Sequence, residues 1–128
     1  MPARYLILLD QRLVVSIGWG HLTFSDLRSQ QDAFKNDPLF DPTLDQLVDL
    51  SQVELLELTT DQAKTIAGRA MFRASSRRAV IAKDPAIFGT ARMMDAHHSV
   101  ATGRNHLRVF YDRDAALKWL GFDSLPEV

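Results

Sequence analysis

The sequence contains no cysteine among its 128 residues. This absence excludes disulfide bonds, thiolate nucleophiles, cysteine-based zinc sites and iron–sulfur ligation. No apolar run approaches the roughly 18 to 20 residues that span a bilayer, and the apolar stretch near the N-terminus is too short for a signal peptide. We therefore expect a cytoplasmic protein without a membrane span.

The chain also lacks a surplus of either charge. Its formal net charge is -1, so no global field draws it to nucleic acid or acidic lipid. Hydrophobic residues make up 46% and charged residues 24% of the sequence, which is the balance of an ordinary globular protein. This length suits one hydrophobic core, so we predict a single domain over residues 1–121 and a C-terminal tail over residues 122–128.

The apolar pattern predicts strands that alternate with helices after an initial hairpin. This order, ββαβαβαβα, predicts an α/β domain with a mixed, largely parallel sheet and helices packed on it. The strands are expected over residues 5–9, 13–17, 44–50, 77–82 and 107–110, and the helices over residues 24–36, 60–74, 85–98 and 113–120.

The clearest helix start follows the central strand. Thr59 and Gln62 have the spacing of a capping box, in which the threonine hydroxyl and the glutamine side chain satisfy each other's backbone amides. A phosphate at a helix N-terminus is also favourable, so Thr59 or the adjacent Thr60 could be modified, although capping alone is a sufficient role for Thr59.

Three segments together resemble the STAS-like domains, also described as SpoIIAA-like or anti-sigma-factor-antagonist-like. They are Leu47-Val48-Asp49-Leu50-Ser51-Gln52-Val53, the capped helix after Thr59, and the stretch from Val109 to Gly121. The likeness runs from about Tyr5 to Gly121 and points to an uncharacterised bacterial branch. It implies a STAS-like fold and a non-catalytic regulatory module that binds another protein.

The resemblance also implies a phosphorylation switch. In the better-known members, a serine at the start of this helix is phosphorylated by a kinase that is also the binding partner. The family's aspartate, two serines and glycine correspond here to Glu57, Leu58, Thr59 and Thr60, so the motif is degenerate. Glu57, Thr59 and Thr60 are the possible phosphoacceptor or partner-binding residues, and the implied partner is a serine kinase or another regulator.

Asp49 and Ser51 are predicted at the C-terminal end of the central strand, where open α/β sheets place their sites. They are candidates for binding a partner or a polar ligand, or for satisfying loop backbone groups. The sequence has no Gly-x-Ser-x-Gly turn, zinc signature, phosphate loop or dinucleotide fingerprint. We therefore expect no catalytic activity, no cofactor and no metal site.

A second hypothesis places an apolar ligand under the helix at residues 85–98. Ile87, Met93 and Met94 make that helix apolar on more than one side, and methionines suit adaptable pockets. The chain would then be a carrier or sensor of a small, lipid-like molecule. The same residues could instead fill the core or form a homodimer surface.

Basic residues cluster at positions 69–78. Arg69 and Arg73 are four apart and are expected on one helix face, with Arg77 and Arg78 close behind. The cluster is interpreted as a solvated basic face that could hold a phosphate or an acidic partner. His97 and His98 are expected at the surface or near a helix end, with no reason for His106 to join them.

Overall fold

A computed structural model describes residues 2–69, 71–102 and 106–124, with only the backbone described at residues 101 and 102. Within these ranges the elements follow one another in the predicted order, ββαβαβαβα. They are β1 (Ala3–Leu8), β2 (Leu13–Thr23), α1 (Phe24–Lys35), β3 (Asp45–Glu57), α2 (Thr60–Ala67), β4 (Arg78–Ile81), α3 (Pro85–Thr102), β5 (Leu107–Phe110) and α4 (Arg113–Leu120).

The strands of the described residues form one five-stranded sheet in the order β1-β2-β3-β4-β5. β1 and β2 pair as an antiparallel hairpin in which Leu8 lies opposite Leu13, and every later pair is parallel. The predicted α/β class and the mixed, largely parallel sheet are therefore confirmed. β3 lies at the centre of the sheet.

The two faces of the sheet are covered unequally. Because side chains alternate along a strand, Leu13, Val15 and Leu47 face one side, where they pack against α4. Val14 and Val80 face the other side, where α1, α2 and α3 pack. Phe122, assigned to the tail by the sequence, also packs against the α4 cluster, whereas residues 125–128 lie outside the described ranges.

β3 is longer than its sequence predicts. The apolar pattern places the strand over residues 44–50, but β3 continues to Glu57 because β2 continues beside it, with Trp19 opposite Gln52 and Thr23 opposite Glu57. Residues 54–57, which lie between the predicted strand and the predicted helix, are therefore part of the strand. β4 reaches only as far as Asp49 of β3, so β2 and β3 extend beyond the rest of the sheet as a two-stranded arm.

α2 is shorter than predicted. It ends at Ala67 with Gly68 as its C-cap, although the apolar spacing continues to residue 74. Met71 and Phe72 are still buried, but they belong to a cluster around Phe34, where the ring centroids of Phe34 and Phe72 are 5.9 Å apart. Packing between aromatic rings explains these apolar residues without a helix, and Ala70 of the predicted helix lies outside the described residues.

No helix in the part of the chain that the structure describes combines the length and the hydropathy needed to cross a membrane.

Candidate functional site

A cavity lies between the centre of the sheet and the three helices α1, α2 and α3. Its volume is about 110 Å³. Val48 lines it and is only half-buried, although it lies on the central strand. Both faces of a parallel sheet are normally covered, so a valine on its central strand is normally buried. The exposure of Val48 therefore shows that the helices leave a gap above β3. A smaller cavity of about 30 Å³ adjoins this one and shares Val48, Leu50 and Leu27 with it.

The walls of the cavity are mostly apolar. The sheet supplies a floor of aliphatic side chains, and each of the three helices supplies part of the roof. The floor contains Val48, Leu50, Val80 and Leu107, and the roof contains Leu27 and Phe34 from α1, Ile66 from α2, and Ala91 and Met94 from α3. Such a surface favours an apolar occupant over water.

Polar side chains from three neighbouring strands cross the floor. Ser16 of β2, Gln46 of β3 and Arg78 of β4 all line the cavity and are buried. Arg78 donates from Nε to Gln46 Oε1 at 2.9 Å, and Gln46 donates from Nε2 to Ser16 Oγ at 3.1 Å. We call these three residues the polar row.

Arg78 carries a buried positive charge in this row. Its guanidinium carbon lies 4.8 Å from the centre of the Phe72 ring, and within the described ranges no carboxylate forms an ion pair with it. Burial lowers the pKa of Arg78 to about 10. The side chain therefore remains protonated at neutral pH. Among the residues that the structure describes, a hydrogen bond and the aromatic ring stabilise its charge.

A glutamine faces the polar row from the roof. Gln30 of α1 lines the cavity and is buried. Its Nε2 has no hydrogen-bond partner among the residues described. Because a buried donor without an acceptor is costly, Gln30 is a further group that a bound molecule could satisfy.

The sequence anticipates the cavity only in part. Met94 lines it, as the apolar-ligand hypothesis expects, but Ile87 is buried in the adjoining core and Met93 is half-buried outside the lining. Of the polar row, the sequence singles out Arg78 alone, as part of the basic cluster, and Ser16 and Gln46 were missed. The sequence signal of the row is weak, because Ser16, Gln46 and Arg78 lie within or beside short apolar runs and become neighbours only when the strands pair.

The sequence predicts Asp49 and Ser51 at the C-terminal end of the central strand. Both instead lie within β3, which continues to Glu57. Asp49 nevertheless marks the C-terminal limit of the pairing between β3 and β4. Its Oδ1 accepts from the Ser51 hydroxyl at 2.5 Å and from the Ser51 amide at 2.9 Å. Arg113 Nη1 lies 3.2 Å from its other oxygen. The pair therefore ties β3 to the start of α4, on the face opposite the cavity.

Thr59 and Gln62 form the predicted capping box. Thr59 Oγ1 accepts from the Gln62 amide at 3.1 Å, and Gln62 Oε1 accepts from the Thr59 amide at 3.0 Å. Thr60 begins α2, and both threonines are exposed. Nearby, Glu57 Oε1 lies 3.4 Å from His21 Nε2, and both side chains are exposed.

The predicted partner-binding residues do not gather into one site. Asp49 and Glu57 are eight residues apart on one strand, and a rise of about 3.3 Å per residue separates them by roughly 25 Å. Asp49 and Ser51 therefore belong to the α4 side of the sheet, whereas Glu57, Thr59 and Thr60 lie at the far end of the arm.

The arginines at positions 69–78 are dispersed, which corrects the predicted shared helix face. Arg69 and Arg73 both follow the end of α2. Arg69 forms an ion pair with Asp32 Oδ1 at 2.5 Å and donates to Gln31 Oε1 at 3.1 Å. Arg77 donates to the Trp119 carbonyl at 2.7 Å on the α4 side, while Arg78 faces the cavity.

The histidines depart from prediction in part. His98 and His106 are buried, not at the surface, and their ring centroids are 5.1 Å apart. His98 does lie near a helix end, as the alternative expectation has it, because α3 ends at Thr102. His98 Nδ1 lies 2.7 Å from the carbonyl oxygen of Ala67, so this side chain links α3 to the last residue of α2. No group of three or more metal-ligating side chains occurs within the described ranges.

Comparisons with known proteins support the fold. No family model matches the chain, and no curated protein matches it. A solved structure, an uncharacterised protein of the DUF3478 family from Shewanella loihica PV-4 with a SpoIIAA-like fold, matches with a TM-score of 0.59 and 19% sequence identity. The match covers 92% of this chain and 93% of that one. The chain therefore has the SpoIIAA-like fold that its sequence resembles.

Proposed function

We propose that the protein is a non-catalytic carrier or sensor that binds a small, largely apolar molecule in the cavity above β3. The half-buried Val48 at the centre of the sheet carries this proposal, because it marks the gap between the sheet and the helices. The cavity approaches the roughly 150 Å³ of an engineered apolar cavity that binds benzene. Its polar groups, a hydroxyl, amides and a guanidinium, are suited to binding and orienting a molecule.

The proposal is tested by titrating the protein with hexan-1-ol and following its ¹H–¹⁵N and methyl NMR spectra. Resonances of Val48, Leu50 and Leu107 are expected to shift, because these side chains line the floor. Ala91→Leu should weaken binding about tenfold, since the leucine replaces roughly two ligand methylene groups worth about 0.8 kcal/mol each.

Ala96→Leu is the matched control, because Ala96 is on the same helix but exposed. It should leave hexan-1-ol binding unchanged. Equal binding of hexan-1-ol by the Ala91→Leu variant and the wild type, or a spectrum that responds neither to hexan-1-ol nor to hexanoate, would refute the cavity as a ligand site.

A second candidate function is a protein-interaction module that uses the end of the arm. Leu55 is a large apolar side chain that is 51% exposed, and Thr59 and Thr60 are exposed close to it in the chain. An exposed apolar side chain beside hydroxyl groups that can be phosphorylated suits a protein-binding surface. Phosphorylation would then regulate the binding of a partner such as a serine kinase. If Thr59 is the switch, Thr59→Glu should change partner binding and keep the fold; unchanged binding would count against it.

A further inference from the structure

The chemistry of the polar row specifies the class of ligand more narrowly than the apolar walls do. Arg78 donates a hydrogen bond from Nε to Gln46 Oε1. Its Nη1 and Nη2 groups have no hydrogen-bond acceptor among the described residues. A guanidinium presents its donors as a planar fork that matches the two oxygens of a carboxylate. The cavity therefore contains one fixed cation with donors still available, surrounded by aliphatic side chains.

Neighbouring groups hold this cation in place. Gln46 cannot turn its amide without losing a hydrogen bond, because Oε1 accepts from Arg78 and Nε2 donates to Ser16. The Phe72 ring lies against the guanidinium. A donor whose orientation is fixed before binding loses little entropy when the ligand arrives.

The charge count limits the ligand to a monoanion. No aspartate or glutamate is among the side chains that line the cavity within the described ranges, and Arg78 is the charged residue in that lining. A doubly charged phosphate would bring an uncompensated charge into an apolar space, which is expensive. A single carboxylate would neutralise the buried guanidinium, and Gln30 Nε2 is available on the roof as a further donor.

We propose that the cavity binds a small amphipathic monocarboxylate, whose carboxylate pairs with Arg78 and whose alkyl chain lies against Val48 and Leu107. This inference rests on the proposed function, because it requires the cavity to be a ligand site. It adds a charged head group to the ligand. It also assigns Arg78 as the residue that selects for that head group.

The experiment compares hexanoate with hexan-1-ol, which share a six-carbon chain but differ in charge. Dissociation constants are measured by calorimetry and by NMR titration at neutral pH. Hexanoate is expected to bind wild-type protein about tenfold more tightly than hexan-1-ol, because hydrogen bonds to a charged group are stronger than neutral ones. In wild-type protein, hexanoate should also shift the Arg78 side-chain Nε resonance.

Arg78→Met is the critical variant. It removes the charge and keeps an unbranched apolar side chain, and exchanging buried charges for apolar groups is often tolerated. The preference for hexanoate should disappear while hexan-1-ol still binds. Arg77→Met is the matched control, since Arg77 is adjacent in sequence but on the α4 side, and it should keep the full preference.

The outcomes separate the two proposals. If hexan-1-ol and hexanoate bind wild-type protein equally, or if Arg78→Met keeps the preference for hexanoate, the carboxylate assignment is wrong and the apolar site remains. If neither probe binds, both proposals fail. If Arg78→Met does not fold, the wild-type preference and the Arg78 Nε shift decide the question, and the absence of both would overturn the assignment.

Discussion

Arg77 and Arg78 show how one position along the chain changes what an arginine does. Successive side chains of a strand point to opposite faces. Arg77 therefore lies over the Trp119 ring at 5.8 Å on the α4 side, and Arg78 is buried beside the cavity. Two neighbours in the basic cluster of the sequence therefore lie in different environments. Arg77 is on an exposed face, and Arg78 is in the candidate site.

Thr59→Ala should lower the free energy of unfolding by about 0.5 to 2 kcal/mol, because it removes the oxygen that caps α2. Thr60→Ala is the matched control: Thr60 is exposed and its hydroxyl does not take part in the capping box, so its effect should stay within about 0.5 kcal/mol. Urea unfolding of both variants measures the difference. Equal losses would contradict the capping role of Thr59.

At this scale, sequence reasoning succeeds where a residue's partners are local. Thr59 and Gln62 of the capping box are three positions apart, so their spacing alone specifies the geometry. His98 and Arg78 could not be predicted in this way, because their environments are built by Ala67 and Gln46, which are 31 and 32 residues away in the chain.

The lengths of individual elements depend on neighbours that a local pattern does not contain. β3 extends to Glu57 only because β2 continues alongside it, and α2 stops at Ala67 because Met71 and Phe72 pack into an aromatic cluster. The final helix was predicted correctly, since Asp112 caps its start and Gly121 ends it with φ 95°. Both of those signals are local.

Two glycine substitutions should have opposite effects on stability. Gly121→Ala is expected to destabilise the protein by about 1 to 2 kcal/mol, because a left-handed backbone penalises a β-carbon. Gly89→Ala should stabilise it by up to about 1 kcal/mol, since Gly89 lies within α3 and a β-carbon there meets nothing within 4 Å. Thermal unfolding distinguishes them, and a stabilising Gly121→Ala would contradict the assigned cap.

The whole molecule is a sheet with α4 on one face and the other three described helices on the opposite face. The order of strands and helices along the chain was predictable, because alternation of periods two and 3.6 reports each element in turn. The cavity was only partly predictable, since its gap depends on how far α1 and α3 stand apart above Val48. No sequence period encodes that distance.

The Asp32–Arg69 ion pair joins α1 to the segment after α2, beside the cavity-lining Gln31. A hydrogen bond from Arg69 lowers the pKa of Asp32. A carboxyl group whose pKa is depressed on folding stabilises the fold above its unfolded pKa, and this contribution is lost as pH falls through the folded value. NMR titration of carboxyl carbons should show Arg69→Gln raising the Asp32 pKa toward its ordinary value.

Asp37 is the internal control for this titration. Its pKa is lowered first by the backbone amide of Leu39 and then by the Tyr5 hydroxyl, so it should not respond to Arg69→Gln. An Asp32 pKa that stays unchanged in the variant would show that the ion pair does not form in solution.

The two-stranded arm has a consequence for self-association. Beyond Asp49, β3 has no strand neighbour on its β4 side among the described residues, and an open strand edge is a template on which further chains can add. Glu54 and Glu57 are exposed along this stretch. If a second copy of the chain paired with this edge, its Glu54 and Glu57 would lie close to the same residues of the first copy. Repulsion between these negative charges opposes the pairing. The charges of Glu54 and Glu57 therefore oppose edge-to-edge pairing of the arm between two copies of the chain.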